Sequence, residues 1–127
     1  MKPLICQFTN IFESQSLLDM EEAIVSSFNH FESELPIALT KIDDSNWTLL
    51  TTKQIISNIS GELKHTLAEG VIHTDWNDFK GYKHQSTTVG KLTLKDDSTM
   101  YVLVETGKAS MIMIYGIMTL TAQRSGG

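Results

Sequence analysis

Cysteine and proline are scarce in this 127-residue sequence, which contains one cysteine, Cys6, and two prolines. A single cysteine excludes an internal disulfide, so packing has to hold the fold together, and it is compatible with a reducing compartment. A chain of this length can bury a sufficient apolar core without a disulfide or a bound metal. We therefore expect one domain that spans residues 1–127.

Long apolar runs are also lacking. No segment reaches the roughly twenty apolar residues that a transmembrane helix requires. The N-terminal segment is interrupted by Gln7, Thr9 and Asn10 and has no small-residue cleavage site, unlike a signal peptide. The expectation is a cytoplasmic protein without a membrane span.

Basic residues are few and dispersed. Ten Lys and Arg residues stand against fifteen Asp and Glu residues, which gives a formal net charge of −5. This balance disfavours binding to nucleic acids and anionic membranes, unless folding gathers Lys53, Lys64 and Lys83 on one face. The expected partner is therefore another protein, with a homo-oligomer as a further possibility.

Catalytic motifs are absent from the sequence, which has no glycine-rich phosphate loop, no Gly-x-Ser-x-Gly and no His-Glu-x-x-His. Cys6 with a histidine could form a nucleophile and base, but a lone cysteine next to Ile5 is more often a small buried apolar group. Nothing near Cys6 is basic enough to lower its pKa. The sequence predicts neither enzymatic activity nor a cofactor.

The richest structural signal is the segment Asn46–Lys64, which combines tryptophan, leucine and isoleucine with several threonines and contains no proline. This composition is typical of buried strands. Turn-forming residues precede it at 43–46 and interrupt it at Ser60-Gly61. We predict a central buried hairpin with strands at 47–52 and 54–59.

The remaining elements complete an α+β prediction with a curled antiparallel sheet. Residues 1–35 are expected to form an arm, extended or helical at 1–12, and an amphipathic helix from Ser16 to Glu32 that ends before Pro36. The strand-rich body covers 36–107 and includes strands at 37–42, 79–83, 91–95 and 99–105. Residues 108–123 would also suit a strand, but their length favours a buried apolar helix, followed by a flexible tail at 124–127 that includes Gly126 and Gly127.

A family resemblance follows from these segments. Trp47-Thr-Leu-Leu-Thr-Thr-Lys53 with Ile55-Ile56, the pair Gly90–Leu94 and Tyr101–Val104, and the apolar segment Ala109–Ala122 together resemble the pleckstrin-homology-like (PH-like) superfold. The likeness is to its bacterial PH and GRAM-type members. It implies a PH-like barrel closed by a C-terminal helix and a protein, peptide or lipid headgroup as ligand, rarely catalysis. The hairpin lacks the basic cluster of phosphoinositide-binding members, so we expect a non-catalytic protein-binding module.

Candidate contact residues lie around Trp76, which stands among turn-forming polar residues, not within an apolar run. Exposed tryptophans are favoured anchors at protein interfaces, although half burial under a loop is the commoner arrangement. With Trp76 we group Asp75, Asp78 and Lys53 as candidate partner contacts. An open sheet edge is the other candidate surface.

Two further functions fit parts of the sequence. His73 and Asp75 could ligate a metal if His84 converged with them, as in a small enzyme, but turn chemistry explains the same residues and we predict no metal. The excess of acidic residues also suits an immunity or antitoxin protein that neutralises a cationic toxin by charge complementarity.

Overall fold

Two antiparallel sheets form the molecule in the computed structural model, which describes residues 9–11, 22–29, 31, 33–76, 87–106, 114 and 116–119. Sheet A contains five strands in sequence order, β1 (Thr9–Ile11), β2 (Pro36–Asp43), β3 (Asn46–Thr51), β4 (Gln54–Ile59) and β5 (Glu62–Leu67). Sheet B contains β6 (Val71–Asp75), β7 (Thr87–Leu94) and β8 (Thr99–Glu105). The sheet-rich fold predicted from the sequence is confirmed.

The predicted central hairpin is β3 and β4, which pair antiparallel around the Thr52-Lys53 turn. Its apolar side chains are almost fully buried. The turn between β4 and β5 is Ser60-Gly61, where both residues have positive φ values of 53° and 86°. Two such residues form the tight turn whose twist matches that of a β-hairpin, and glycine adopts this conformation without a steric cost.

The central strands of sheet A are covered on both faces, which explains why their residues are almost continuously buried. One face packs Leu39, Trp47, Leu49 and Ile56 against Ile24 and Phe28. The opposite face packs Ala38, Leu50 and Ile55 against sheet B and the C-terminal segment, whose contributing residues are Val71, Leu92, Met100, Val102, Val104, Ile114 and Ile117. The core therefore has two parts, separated by sheet A.

The C-terminal segment has helical backbone at Ile114 and at 116–119, the described residues of the predicted helix 108–123. A Cβ atom on Gly116 would lie 2.6 Å from Cδ2 of Leu50, so the segment approaches sheet A closely at this glycine. The other residues of the predicted helix lie outside the described residues. Among those described, no helix is long and apolar enough to cross a membrane.

The N-terminal helix is shorter at its C-terminal end than the sequence predicted. Helix α1 spans Glu22–Val25, and the described residues between it and β2 are not helical. The Ser27 hydroxyl and N–H both donate to the carbonyl of Ile24, at 2.6 and 3.1 Å, and this local bonding competes with helix continuation. The Gln54 amide also donates to the Asn29 carbonyl at 3.1 Å and holds the chain in a non-helical path. The predicted start at Ser16 lies outside the described residues.

For strands β1 and β6, the sequence did not predict one clear conformation. For the arm at 1–12, the extended alternative is correct at Thr9–Ile11, which pairs with β2 as β1. Strand β6 at Val71–Asp75 contains a register shift between Val71 and His73, which obscures its alternation. The strand predicted at 79–83 lies outside the described residues.

Candidate functional site

A row of buried hydroxyl groups crosses sheet A. Thr9, Thr40, Thr48 and Ser57 lie directly opposite one another on β1 to β4, and we call them the hydroxyl row. All four are buried, and the hydroxyl oxygens of Thr9 and Thr40 are 2.9 Å apart. They lie on the face that sheet B covers, since Leu50 and Ile55 are two residues from Thr48 and Ser57 and belong to that core.

The hydroxyl row binds the outer edge of β8. The Leu103 N–H donates to Oγ1 of Thr48 at 2.6 Å, and Oγ of Ser57 donates to the Tyr101 carbonyl oxygen at 2.6 Å. Both backbone groups point away from β7, because the bonds of a strand alternate between its two sides. Side chains of sheet A thus satisfy the edge of sheet B, and these bonds fix the position of Tyr101.

A cleft opens beside Tyr101 at the junction of the two sheets. It is lined by Ser57, Ile59, Glu62, Lys64 and Tyr101, and has a volume of about 70 Å³. The Tyr101 side chain is 46% exposed. Two of the lining residues are charged, Glu62 and Lys64, and they form an ion pair in which Nζ of Lys64 lies 3.8 Å from Oε2 of Glu62.

The outer face of sheet B extends this cleft. Asp75, Lys91 and Tyr101 lie opposite one another on β6, β7 and β8, and all three are exposed. Residues opposite each other on neighbouring strands have Cβ atoms about 5 Å apart, so the aromatic ring has a lysine on its β7 side. We call Asp75, Lys91 and Tyr101, with Glu62 and Lys64 of the cleft, the Tyr101 surface. It combines one aromatic anchor with two cations and two anions.

Trp76, the predicted contact residue, is half-buried and packs on the core. A Cβ atom on Gly90 would lie 2.5 Å from Cε3 of the indole, so the ring lies directly over this glycine. The indole Nε1 is buried and has no hydrogen-bond partner among the described residues. Of the two alternatives for Trp76, an exposed anchor or a half-buried ring, the structure shows the half-buried ring. Its contact with a partner stays a prediction.

The other predicted contact residues are dispersed. Asp75 belongs to the Tyr101 surface, whereas half-buried Lys53 lies in the turn between β3 and β4 of the other sheet. Asp78 lies outside the described residues. Asp75 and Lys53 therefore lie on different sheets and do not form one contact surface with Trp76.

The predicted metal ligands His73 and Asp75 are both exposed on β6. Within the described parts of the chain, no three His, Cys, Asp or Glu residues are close enough to hold a metal ion. His84, the third ligand considered, lies outside those parts. The hypothesis of a metal site gains no support from these residues.

The buried carboxyl group of Glu34 was not identified from the sequence, in which this residue follows the predicted helix and precedes Pro36. Its Oε1 accepts hydrogen bonds from the Phe31 N–H at 2.8 Å and from Nε2 of Gln54 at 3.1 Å, while Oε2 accepts one from the Thr51 hydroxyl. The Thr51 oxygen in turn accepts the Gln54 N–H at 3.0 Å. The bonds from Thr51 and Gln54 to Glu34 tie the loop before β2 to the central hairpin, so this network supports the fold.

The acidic turns are local structures. Oδ1 of Asp43 accepts the Ser45 N–H at 2.9 Å, and this bond, with one from the Asn46 side chain, lowers the pKa of Asp43. The hydroxyl and N–H of Ser98 lower the pKa of Asp96 in the same way. These carboxylates stabilise turns as charged acceptors.

Comparison with protein-family models, with curated proteins and with solved structures gave no match. Two surfaces of the described residues are candidates for binding a partner. They are the Tyr101 surface and the outer edge of β5, with which no described strand pairs.

Proposed function

We propose that this protein is a small cytoplasmic, non-catalytic module of PH-like type that binds another protein through the Tyr101 surface. The observation that carries the proposal is the exposed Tyr101 side chain beside a cleft at the junction of two sheets. Exposed aromatic side chains next to a pocket, with a polar rim, are typical anchors of protein interfaces.

The order of the elements supports the PH-like assignment. A meander of antiparallel strands packs against a second antiparallel sheet, and a helical segment follows whose residues Ile114 and Ile117 are buried in the core between them. The family resemblance implies a barrel closed by a C-terminal helix, and the helical backbone at Ile114 and at 116–119 is compatible with that expectation. Members of that superfold mostly bind proteins, peptides or lipid headgroups, and fold alone does not decide among these ligands.

The charges of the Tyr101 surface favour a protein over a phosphorylated headgroup. Lys64 and Lys91 are each matched by an acidic neighbour, Glu62 at 3.8 Å and Asp75 on the adjacent strand. A phosphate group requires cations that converge without such neighbours, because the acids cancel the attraction. A protein surface with both signs of charge is complementary to this pattern.

The size of the cleft also favours a protein ligand. Pockets for small molecules and cofactors usually have volumes of about 300–1,000 Å³. A volume of about 70 Å³ accommodates one amino-acid side chain of a partner. The partner is therefore expected to insert a single side chain beside Tyr101 and to contact the charged residues around it.

The experiment compares tagged wild-type protein with Tyr101→Ala and Lys91→Glu in affinity capture from the native cell lysate, followed by mass spectrometry. Ile42→Ala is the matched control, because Ile42 is exposed to a similar extent, 43%, and lies at the end of β2 in the other sheet. We expect one set of partners to be retained by Ile42→Ala and lost from both surface variants.

A second arm tests lipids with vesicles that contain a phosphoinositide. Binding to these vesicles that is lost in Lys91→Glu, with no protein captured, would show that the ligand is a headgroup. Protein partners that bind Tyr101→Ala as well as wild type would show that the Tyr101 surface is not the binding site. Circular dichroism of each variant verifies that the fold is retained.

A further inference from the structure

No described strand pairs with the outer edge of β5, and two of the exposed residues of this strand are apolar. Among the described strands β5 pairs only with β4, and every residue of β5 except Thr66 is exposed. Leu63 and Leu67 are 38% and 43% exposed. Edge strands of stable monomers are usually protected by charges, prolines or bulges. Strand β5 has no proline and no bulge, its two charged residues pair with each other, and two of its leucines are exposed, so this edge favours pairing with another strand.

The backbone groups that point outward belong to Leu63, His65 and Leu67. Ile59 and Glu62 pair across the two-residue turn and therefore exchange hydrogen bonds, after which the direction of the bonds alternates along β5. The Ala68 N–H donates to the Lys53 carbonyl at 3.1 Å, which agrees with this alternation. The same three residues also share one face of the strand.

We propose that β5 pairs with β5 of a second copy of this chain in an antiparallel dimer whose twofold axis passes next to His65. The outward residues read Leu-His-Leu in both directions, so the pattern is complementary to itself. In this register Leu63 lies opposite Leu67 of the second copy, and His65 lies opposite its own counterpart. Each of the three outward pairs exchanges two backbone hydrogen bonds, as in any antiparallel ladder.

The alternative register, centred on Leu63, is poorer. It places His65 opposite Gly61, whose N–H already donates to the Ser45 carbonyl at 3.0 Å within the same molecule. It also leaves Leu67 without a partner. The register about His65 uses all outward donors and acceptors, because the Leu67 carbonyl oxygen, which accepts the Thr66 hydroxyl at 3.1 Å, has a second lone pair. It also covers both leucines and so buries more apolar surface.

The charges of β5 permit self-pairing despite the net charge of −5 on each molecule. From Glu62 to Leu67 the strand carries one acidic and one basic residue, and these form an ion pair within the strand at 3.8 Å. Counting histidine as neutral, the formal charge of β5 is zero, so two copies of the strand do not repel each other. A strongly charged strand of another protein would not be attracted to β5 either. Because the outward residues also read the same in both directions, a second copy is the favoured occupant.

The dimer is expected to be weak. Pairing of one strand from each copy buries less area than the roughly 1,200–2,000 Å² of a typical stable interface. We therefore expect a dissociation constant in the micromolar range or above. Analytical ultracentrifugation of wild-type protein over a wide concentration range should show a reversible monomer–dimer equilibrium. Monomers at every concentration would overturn the proposal.

Two variants test the edge. His65→Pro removes an outward N–H and places a ring in the pairing region, whereas the fold retains its bonds to β4 because proline is tolerated where the N–H faces solvent. Leu63→Lys places a charge opposite Leu67. Both are expected to abolish dimers, and the control Ile72→Lys, at an exposed residue of β6, is expected to retain them. Dimers that persist in Leu63→Lys would exclude β5 as the interface.

Disulfide formation tests the register without a proline. In a Cys6→Ser background, His65→Cys places two cysteines opposite each other with Cα atoms about 5.5 Å apart, a distance that a disulfide spans. We expect oxidised dimers from His65→Cys and none from Leu63→Cys. Equal cross-linking of both variants, or cross-linking of Leu63→Cys alone, would overturn the register. Glu62 and Lys64 belong both to β5 and to the Tyr101 surface, but Tyr101 itself lies on β8 and takes no part in the pairing. Tyr101→Ala is therefore expected to leave the dimer unchanged, and the two proposals can fail separately.

Discussion

The hydrogen bond from the Leu103 N–H to Thr48 offers a direct test of how the two sheets are joined. Thr48 is fully buried, and its Oγ1 lies 2.6 Å from the Leu103 nitrogen. Thr48→Val keeps the shape of the side chain and replaces the hydroxyl that accepts this bond with a methyl group. No cavity forms, but the edge N–H of β8 is left buried without a partner.

An unsatisfied buried backbone donor costs about 1–3 kcal/mol, so we expect Thr48→Val to lower the free energy of unfolding by that amount. Thr40→Val is the matched control in the same hydroxyl row. Its hydroxyl lies 2.9 Å from that of Thr9, so Thr40→Val leaves another buried hydroxyl without this partner and should also cost about 1–3 kcal/mol. Exchange of the Leu103 N–H, not the free energy of unfolding, therefore separates the two variants.

Urea unfolding monitored by tryptophan fluorescence measures both losses, because Trp47 is buried in the core. Amide hydrogen exchange at Leu103 locates the effect, since this N–H should exchange faster in Thr48→Val and at the wild-type rate in Thr40→Val. If Thr48→Val is as stable as wild type and Leu103 exchange is unchanged, the bond does not join the sheets.

Three further perturbations have defined outcomes. Glu34→Ala removes the acceptor of three donors in a buried network and should cost about 2–3 kcal/mol in urea unfolding. Gly90→Ala forces the Trp76 indole away from β7, where the Cβ atom would be 2.5 Å from the ring, and should cost about 1–3 kcal/mol and shift the tryptophan emission. Because the pKa values of Asp43 and Asp96 are lowered in the folded state, their stabilisation is present above the unfolded-state pKa of about 3.9 and is lost as pH falls through the folded values. The stability difference between wild type and Asp43→Asn should therefore shrink in thermal melts below about pH 4.

The central hairpin could be predicted because several local signals agreed. β-Branched and aromatic residues favoured strands, and Ser60-Gly61 suited the turn between β4 and β5. The predicted bounds of β4 equal the observed Gln54–Ile59. An element can be predicted from its sequence when residue propensities, apolar pattern and turn residues all favour the same conformation.

Features decided by tertiary contacts could not be predicted. Tyr101 and Leu103 lie on the same face of β8, yet one is 46% exposed and the other 5%. Alternation along a strand separates its two faces but does not show where along one face another element covers it. The helix end at Val25 and the burial of Glu34 likewise depend on contacts with Gln54, which is twenty or more residues away.

Ser57 takes part both in the hydroxyl row and in the lining of the cleft. A ligand in the cleft would therefore contact Ser57, whose hydroxyl forms one of the hydrogen bonds between sheet A and sheet B. Occupancy should change the melting temperature of the whole molecule, not only the mobility of nearby side chains. A thermal-shift screen of peptides would then detect ligands without a functional assay.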